Sequence, residues 1–268
     1  MLKEKLLLGQ YYAVESPVHR LTAQVKIIIA VIYMVALFIT DDWWGWGFLA
    51  ALCLVMIAVS RVPLLSIWRG MKLIAIFAAF TFVLNIFLYG GDTLLWSWRS
   101  LSVTAEGIVY GAAMGLRLLL LVAFASLLTL TTTPIELTDG IEALLKPLKL
   151  LGVPAHEIAM MMSIALRFIP TILEEFDRII LAQRARGADL AAGNLFKRAR
   201  AMVPLLVPLF VASFRRADEL AQAMEAKGYS GGEGRTRWHV AAWHSGDTLA
   251  LLLFMLLFGA VIAYRVIC

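Results

Sequence analysis

Long apolar runs dominate this sequence and limit its possible folds more than any other feature. A helix needs about 20 apolar residues to cross the hydrocarbon core of a bilayer. Five runs come close to that length: residues 25–40, 43–59, 72–89, 107–131 and 248–264. The chain is 61% hydrophobic and 16% charged, whereas soluble domains are about 25% charged. The sequence therefore predicts an all-α polytopic membrane protein with five transmembrane helices.

The distribution of lysine and arginine predicts the orientation of these helices. With a cytoplasmic N-terminus, the first two cytoplasmic segments hold Lys3, Lys5, Arg20, Lys26, Arg61, Arg69 and Lys72. Another 14 cations lie within residues 146–237, and the outer loops keep only Arg99, with Arg265 near the far end. Cytoplasmic loops of membrane proteins carry such an excess. We therefore expect a multi-pass cell-membrane protein whose net charge of +5 reflects topology and not nucleic-acid binding.

Composition divides the chain into three parts. Residues 1–131 would hold the cytoplasmic N-terminus and four transmembrane helices, and residues 248–268 the last one. The more polar segment 132–247 would form a cytoplasmic or interfacial helical coupling domain. Within it, apolar residues recur at helical spacing over 155–186, and a second long helix is predicted over 194–227.

The two long helices are predicted to end in nearly the same way. The first ends in Ala185, Arg186 and Gly187, and the second in Ala226, Lys227 and Gly228. Glycine is common just past a helix end, and a cation near that end interacts favourably with the helix dipole, by about 0.3–1 kcal/mol. The repetition also suits docking, in which a small residue permits close approach and the cation pairs with a partner's carboxylate. The residues alone leave both interpretations open.

Three further features also have both a structural and a functional interpretation. Arg117 lies inside the fourth apolar run, where a cation is functional by default. It can also extend its charged head towards the membrane surface, or bond to backbone carbonyls or to Asn85. Met161 and Met162 could form an adaptable contact face or ordinary core packing. The apolar stretch with Leu205, Leu206, Leu209 and Phe210 suits a helix against the membrane, or a surface that moves against another membrane protein.

Motifs for catalysis are missing from the sequence. It contains no P-loop and no zinc-protease helix, because His156-Glu157 lacks the second histidine. We therefore expect no catalytic residues, no metal site and no cofactor in this chain. Any ATP that drives transport would be bound by partner subunits.

Several segments resemble one family across essentially the whole chain. They are SPVHRL at 16–21, TTPIELTDG at 132–140, MMMSIALRFIP at 160–170, QRARGA at 183–188 and FRRADELA at 214–221. These segments are similar to the EcfT family, the transmembrane coupling subunits of energy-coupling factor (ECF) transporters, which import vitamins and micronutrients. The related CbiQ type serves a dedicated cobalt or nickel importer.

The resemblance implies partners and roles for the two helix ends. It implies a scaffold that joins two ABC-type ATPases to a small substrate-binding membrane subunit within the bilayer. Residues 185–187 and 226–228 would insert into grooves of the ATPases, and the apolar residues at 161–162 and 205–210 would contact the substrate-binding subunit. Lys227 stands where the family motif has arginine, so a bidentate contact is expected at Arg186 only. Rival readings are a membrane-embedded enzyme and a non-transport membrane anchor that binds anionic lipid.

Overall fold

The structure is a computed structural model that describes residues 11–90, 93–98, 101–147, 152, 154–188, 194–231 and 243–267. Its helices are α1 (Pro17–Arg20), α2 (Ala23–Ile39), α3 (Trp43–Ser60), α4 (Leu64–Leu88), α5 (Ala105–Thr131), α6 (Pro134–Leu145), α7 (Ala155–Ala185), α8 (Leu195–Ala226) and α9 (Ser245–Ile267). Two short antiparallel strands, β1 (Leu94–Trp98) and β2 (Leu101–Thr104), precede α5. The all-α class is confirmed. Lys3, Lys5 and Arg99, with residues 232–242, lie outside the described residues.

Among the described residues, five helices are long and apolar enough to cross a membrane. They are Trp43–Ser60, Leu64–Leu88, Ala105–Thr131, His156–Ala185 and Ser245–Ala263. Four of them coincide with predicted spans. The predicted span 25–40 is the shorter apolar helix α2, and α7, which the sequence assigned to the coupling segment, is the least apolar of the five.

Helix α4 begins earlier than the sequence predicted. It starts at Leu64, directly after Pro63, and not at Lys72. Arg69 and Lys72 were expected in a loop, but both are helical. The prediction was wrong because it ended the helix at the first charged residues, whereas long cations can stay helical near a membrane surface by extending their heads to water.

The core of the bundle is built around α2. Val25, Tyr33 and Leu37 are almost fully buried there, and α3, α4, α5 and α9 all contribute to the same apolar cluster. The Tyr33 ring stacks on Phe124 of α5 with 4.0 Å between ring centroids. The hydroxyl of Tyr33 donates to the Leu49 carbonyl oxygen at 3.1 Å, so the buried phenol is satisfied. A helix of only 17 residues thus organises the bundle.

A buried carboxylate joins the first and last helices of the bundle. The Asp247 side chain is 1% exposed and accepts the backbone N–H groups of Thr22 and His244, both at 2.9 Å. Thr22 directly precedes α2 and His244 directly precedes α9. At a helix start the backbone N–H groups have no partner within the helix, and the Asp247 carboxylate supplies one. The Lys26 ammonium, also buried, donates to the Thr131 carbonyl oxygen at the end of α5 at 2.9 Å.

The start of α6 is fixed by local hydrogen bonds. Thr133 Oγ1 accepts the Glu136 N–H at 3.3 Å, and the Glu136 carboxylate accepts the Thr133 N–H at 3.0 Å. This is a capping box with Pro134 in the first turn. The helix ends at Leu145, two residues before Pro147.

The described residues divide into two compact units. One lies within Met1–Leu144 and Ala241–Cys268, and the other within Leu145–Val240. The first contains the bundle and nearly all of α6, whose Gly140 sits so close to Ala23 that a Cβ would lie 3.0 Å from its backbone. The second contains α7 and α8.

Candidate functional site

Helix α7 ends in a Schellman motif at residues 183–188, the α7 tip. Gly187 has φ +83°, the Gly187 N–H donates to the Arg184 carbonyl at 2.9 Å, and the Ala188 N–H donates to Gln183 at 3.0 Å. This pair of bonds closes the helix end and satisfies carbonyls that would otherwise lack partners. The positive φ is the reason that glycine, which has no Cβ, occupies this position.

Helix α8 ends in the same motif at residues 224–229, the α8 tip. Gly228 has φ +72° and donates its N–H to Glu225 at 2.8 Å, and the Tyr229 N–H donates to Met224 at 3.0 Å. The residues before the two glycines also match. Arg186 has φ −83° and ψ 5°, and Lys227 has φ −85° and ψ 5°. The resemblance seen in the sequence is therefore a shared backbone geometry.

The side chains at both tips are open to contact. Ala185, Arg186, Ala226 and Lys227 are all exposed, and so are the two glycines. A Cβ built at either glycine would meet nothing within 4 Å. Among the described residues, no carboxylate lies within ion-pair distance of Arg186 or Lys227. Each tip thus presents a small residue, a cation and a bare glycine on a fixed backbone.

Two side-chain contacts fix how α7 packs on α8. The Gln183 amide donates to the Pro204 carbonyl oxygen at 3.4 Å, and Arg216 pairs with Glu175 at 3.5 Å. Pro208 has no N–H, so it leaves the Pro204 carbonyl, four residues earlier, without its helical donor. Gln183 supplies a donor from the other helix. Pro208 thus frees the Pro204 carbonyl oxygen of α8 to accept a hydrogen bond from α7.

These contacts place the tips at opposite ends of the helix pair. Moving from Gln183 back to Glu175 along α7 corresponds to moving from Pro204 forward to Arg216 along α8, so the helices are antiparallel. Arg186 and Lys227 each lie eleven residues beyond the Glu175–Arg216 ion pair, or about 16 Å along their helices at 1.5 Å per residue. The tips therefore point away from each other.

The second predicted contact surface is largely exposed. Met161, Met162, Leu206 and Phe210 are exposed and Leu209 is half-buried, whereas Leu205 is only 4% exposed. Leu205 therefore does not belong to the surface. The exposed apolar residues of α8 follow helical spacing: Val203, Val207, Phe210, Val211 and Phe214. This stripe is an unpartnered apolar face.

Arg117 is held by the turn between α2 and α3. Its guanidinium donates to the Thr40 carbonyl oxygen at 3.0 Å and to Asp41 at 3.2 Å, with 12% of its side chain exposed. Two aromatic rings, those of Phe38 and Trp46, lie within 6 Å of its guanidinium carbon. Of the two structural partners considered for Arg117, the backbone carbonyl is confirmed and Asn85 is wrong. Asn85 donates to its own helix.

Sequence reasoning missed the residues that join α7 to α8. Glu175, Gln183 and Arg216 carry no pattern that distinguishes them from other polar helix residues. The two prolines were the available signal, since each one leaves a carbonyl four residues earlier without a helical donor.

Comparison with known proteins identifies the family. The model of the CbiQ family, described as a cobalt transport protein, matches residues 14–238. The energy-coupling factor transporter transmembrane protein EcfT of Clostridium kluyveri is 52% identical over 258 residues, covering 96% of this chain and 95% of the relative. The protein of the same name from Acidaminococcus fermentans is 50% identical over 94% of both chains. That from Bacillus selenitireducens is 45% identical over 98% of both.

These matches extend over nearly the full length of the chain and include both helix tips and most of the bundle. The five apolar helices agree with a transmembrane protein. The chain is a multi-pass membrane protein that belongs to the CbiQ/EcfT family, the transmembrane subunits of energy-coupling factor transporters.

Proposed function

We propose that this chain is the non-catalytic coupling subunit of its transporter. It joins two ABC-type ATPases to a substrate-binding membrane subunit and transmits ATP-driven motion between them. In this proposal the N-terminus and the unit that contains α7 and α8 face the cytoplasm, where ATP is available. ATP is bound by the partner subunits.

The observation that carries the proposal is the pair of tips with the same backbone geometry at opposite ends of an antiparallel helix pair. Two equal docking elements that point apart suit two similar partners, one at each tip. The exposed alanine and glycine permit close approach, and the cation can pair with a carboxylate in a groove. When the ATPases close on ATP, the docked tips move relative to each other, and the helices carry that motion to the apolar stripe.

The apolar stripe of α8 suits a partner inside or against the membrane. Phe210, Val211 and Phe214 are each more than half exposed. Together with Met161 and Met162 they offer apolar area that a membrane-embedded substrate-binding subunit could cover. Tilting of that subunit by the stripe would release substrate towards the cytoplasm.

Charge reversal at the α7 tip tests the docking role. Arg186→Glu should weaken association with the ATPases by about 100-fold or more, because it puts a carboxylate where the partner offers one. The measurement is co-purification of both ATPases with the full-length chain, together with substrate uptake in cells. Both should be lost.

Arg215→Glu is the matched control, since Arg215 is also an exposed cation of the same unit but lies outside both tips. It should keep association and uptake near the wild-type level. Unchanged complex formation and uptake in Arg186→Glu would contradict the proposal. Purification of the wild-type chain without any ATPase would favour a membrane anchor instead.

A dedicated metal importer is the second candidate, favoured by the family model's description as a cobalt transport protein. Uptake of radiolabelled cobalt or nickel by cells that carry the whole transporter separates the two. Metal uptake that depends on this chain would favour the dedicated importer. Vitamin uptake through a separate substrate-binding subunit would favour the ECF role.

A further inference from the structure

An apolar groove lies between α3, α4 and α5 in the bundle unit. Its volume is about 520 Å³, and its lining includes Cys53, Leu54, Ile57, Leu65, Trp68 and Leu120. Leu54, Leu65 and Trp68 are each more than half exposed, so the groove is open on its outer side. An elongated apolar ligand would fit such a groove.

Three cations flank this groove along the chain. Arg61 directly follows α3, whose Ile57 lines the groove. Arg69 and Lys72 lie one turn after the lining residues Leu65 and Trp68 on α4, and residues four apart share a helix face. All three cations are exposed, and among the described residues none has a carboxylate within ion-pair distance. The groove is thus apolar along its length and positive at its rim.

The backbone at Arg61 gives an independent indication that its side chain matters. Arg61 has φ +55°, the only positive φ at a non-glycine position among the described residues. A helix end in this conformation normally carries glycine or asparagine. Residues in such sparsely populated conformations are concentrated at functional sites. An arginine occupies this position although glycine would fit the backbone better.

We propose that this groove binds an anionic phospholipid of the membrane. One acyl chain lies against the apolar lining, and the phosphate of the headgroup pairs with Arg61, Arg69 and Lys72. Trp68 adds an indole N–H at the rim, since tryptophan favours the membrane interface and no acceptor for it lies among the described residues. Basic pockets between transmembrane helices bind anionic lipid headgroups in this way.

The groove lies within the bundle, in a different compact unit from the two tips. The lipid site is therefore independent of the proposed docking function. It would anchor α4, whose first two turns carry exposed Leu64 and Leu65 as well as Trp68, at one face of the membrane.

Native mass spectrometry of the full-length chain tests the proposal. The protein, in mild detergent, is titrated with dioleoylphosphatidylglycerol and, separately, with dioleoylphosphatidylcholine. Wild type should prefer phosphatidylglycerol. Removing the cations as Arg61→Gln, Arg69→Gln and Lys72→Gln should weaken its binding by about fivefold per cation. Phosphatidylcholine binding should weaken less, because its choline offsets the charge of the phosphate.

Two further variants sharpen the result. The triple variant Arg184→Gln, Arg200→Gln and Arg215→Gln removes the same net charge from exposed sites in the other unit and should bind phosphatidylglycerol as wild type does. Leu54→Trp fills the groove from an exposed position and should reduce binding of both lipids. Unfolding temperatures near wild type show that each variant is folded.

Several outcomes would overturn the proposal. Equal affinity of wild type for the two lipids would show that no site recognises the anionic headgroup. Equal losses of phosphatidylglycerol binding in both triple variants would show that only general charge attraction is involved. Displacement of phosphatidylglycerol when the chain assembles with its substrate-binding subunit would assign the groove to that subunit.

Discussion

His19 ties the N-terminal segment to the start of the bundle. Its Nδ1 lies 2.7 Å from Ser16 Oγ, and its Nε2 lies 3.1 Å from the Tyr12 carbonyl oxygen. A carbonyl oxygen only accepts, so Nε2 carries the proton and Nδ1 accepts from the Ser16 hydroxyl. Ser16 Oγ also accepts the His19 N–H, which caps α1. The neutral ring therefore satisfies both of its nitrogens.

Stability should depend on pH through His19. Burial lowers the pKa of His19 from its usual 6.5, and nearby Lys26 acts in the same direction. The unfolded chain thus binds a proton more readily, so the contribution of His19 to stability is complete above about pH 6.5 and is lost as pH falls below it. The unfolding temperature in detergent should fall between about pH 7 and pH 5.5.

His19→Gln removes the titrating group and keeps hydrogen-bonding capacity, so it should flatten this part of the pH profile. A variant with the same slope as wild type would assign the pH dependence to other groups.

The close packing of α4 against α5 depends on glycine residues of α5. Gly107, Gly111 and Gly115 are spaced four apart on α5, and each faces the backbone of α4. The three sites differ in clearance, because a Cβ at Gly111 would lie 3.0 Å from the Phe82 carbonyl oxygen and one at Gly115 would lie 3.7 Å from that of Ala78.

This difference predicts opposite results from the same substitution. Gly111→Ala should destabilise the chain by about 1–3 kcal/mol, because a backbone carbonyl cannot move aside as a side chain can. Gly115→Ala meets an ordinary van der Waals distance and should be neutral or slightly stabilising, since alanine favours helix. Thermal unfolding of both variants in one detergent provides the comparison, and equal shifts would contradict the packing argument.

In the whole molecule, two tips with the same backbone carry different cations. Arginine has a planar fork that can bind a carboxylate through two hydrogen bonds, whereas lysine is a point charge. If the tips dock as proposed, Arg186 is the more exacting contact and Lys227 the more tolerant one. The antiparallel packing of α7 and α8 keeps the two contacts separate.

Exchange of the cations tests this asymmetry. Arg186→Lys should weaken association with the ATPases by about tenfold, because it loses a bidentate charge-assisted contact. Lys227→Arg should change association by no more than about twofold. The affinity of the purified chain for its ATPases measures both effects, and equal losses at the two tips would show that the contacts are alike.

The family and the all-α membrane class of the chain could be predicted from the sequence because their signals are local. Apolar runs indicate membrane-spanning helices, and Gly187 and Gly228 indicate helix ends. Each signal depends on neighbours within a few residues, where backbone geometry is fixed by steric and hydrogen-bonding rules. The matching of the two tips was visible for the same reason.

Only the tertiary structure decided which residues meet. It buried Leu205, gave Arg117 the Thr40 carbonyl, and aligned Glu175 with Arg216 so that the tips point apart. It also extended α4 back to Leu64 and so set Arg69 and Lys72 beside the apolar groove. Such pairings depend on helix crossing and depth, which no short sequence pattern encodes, because many polar residues offer the same donors and acceptors.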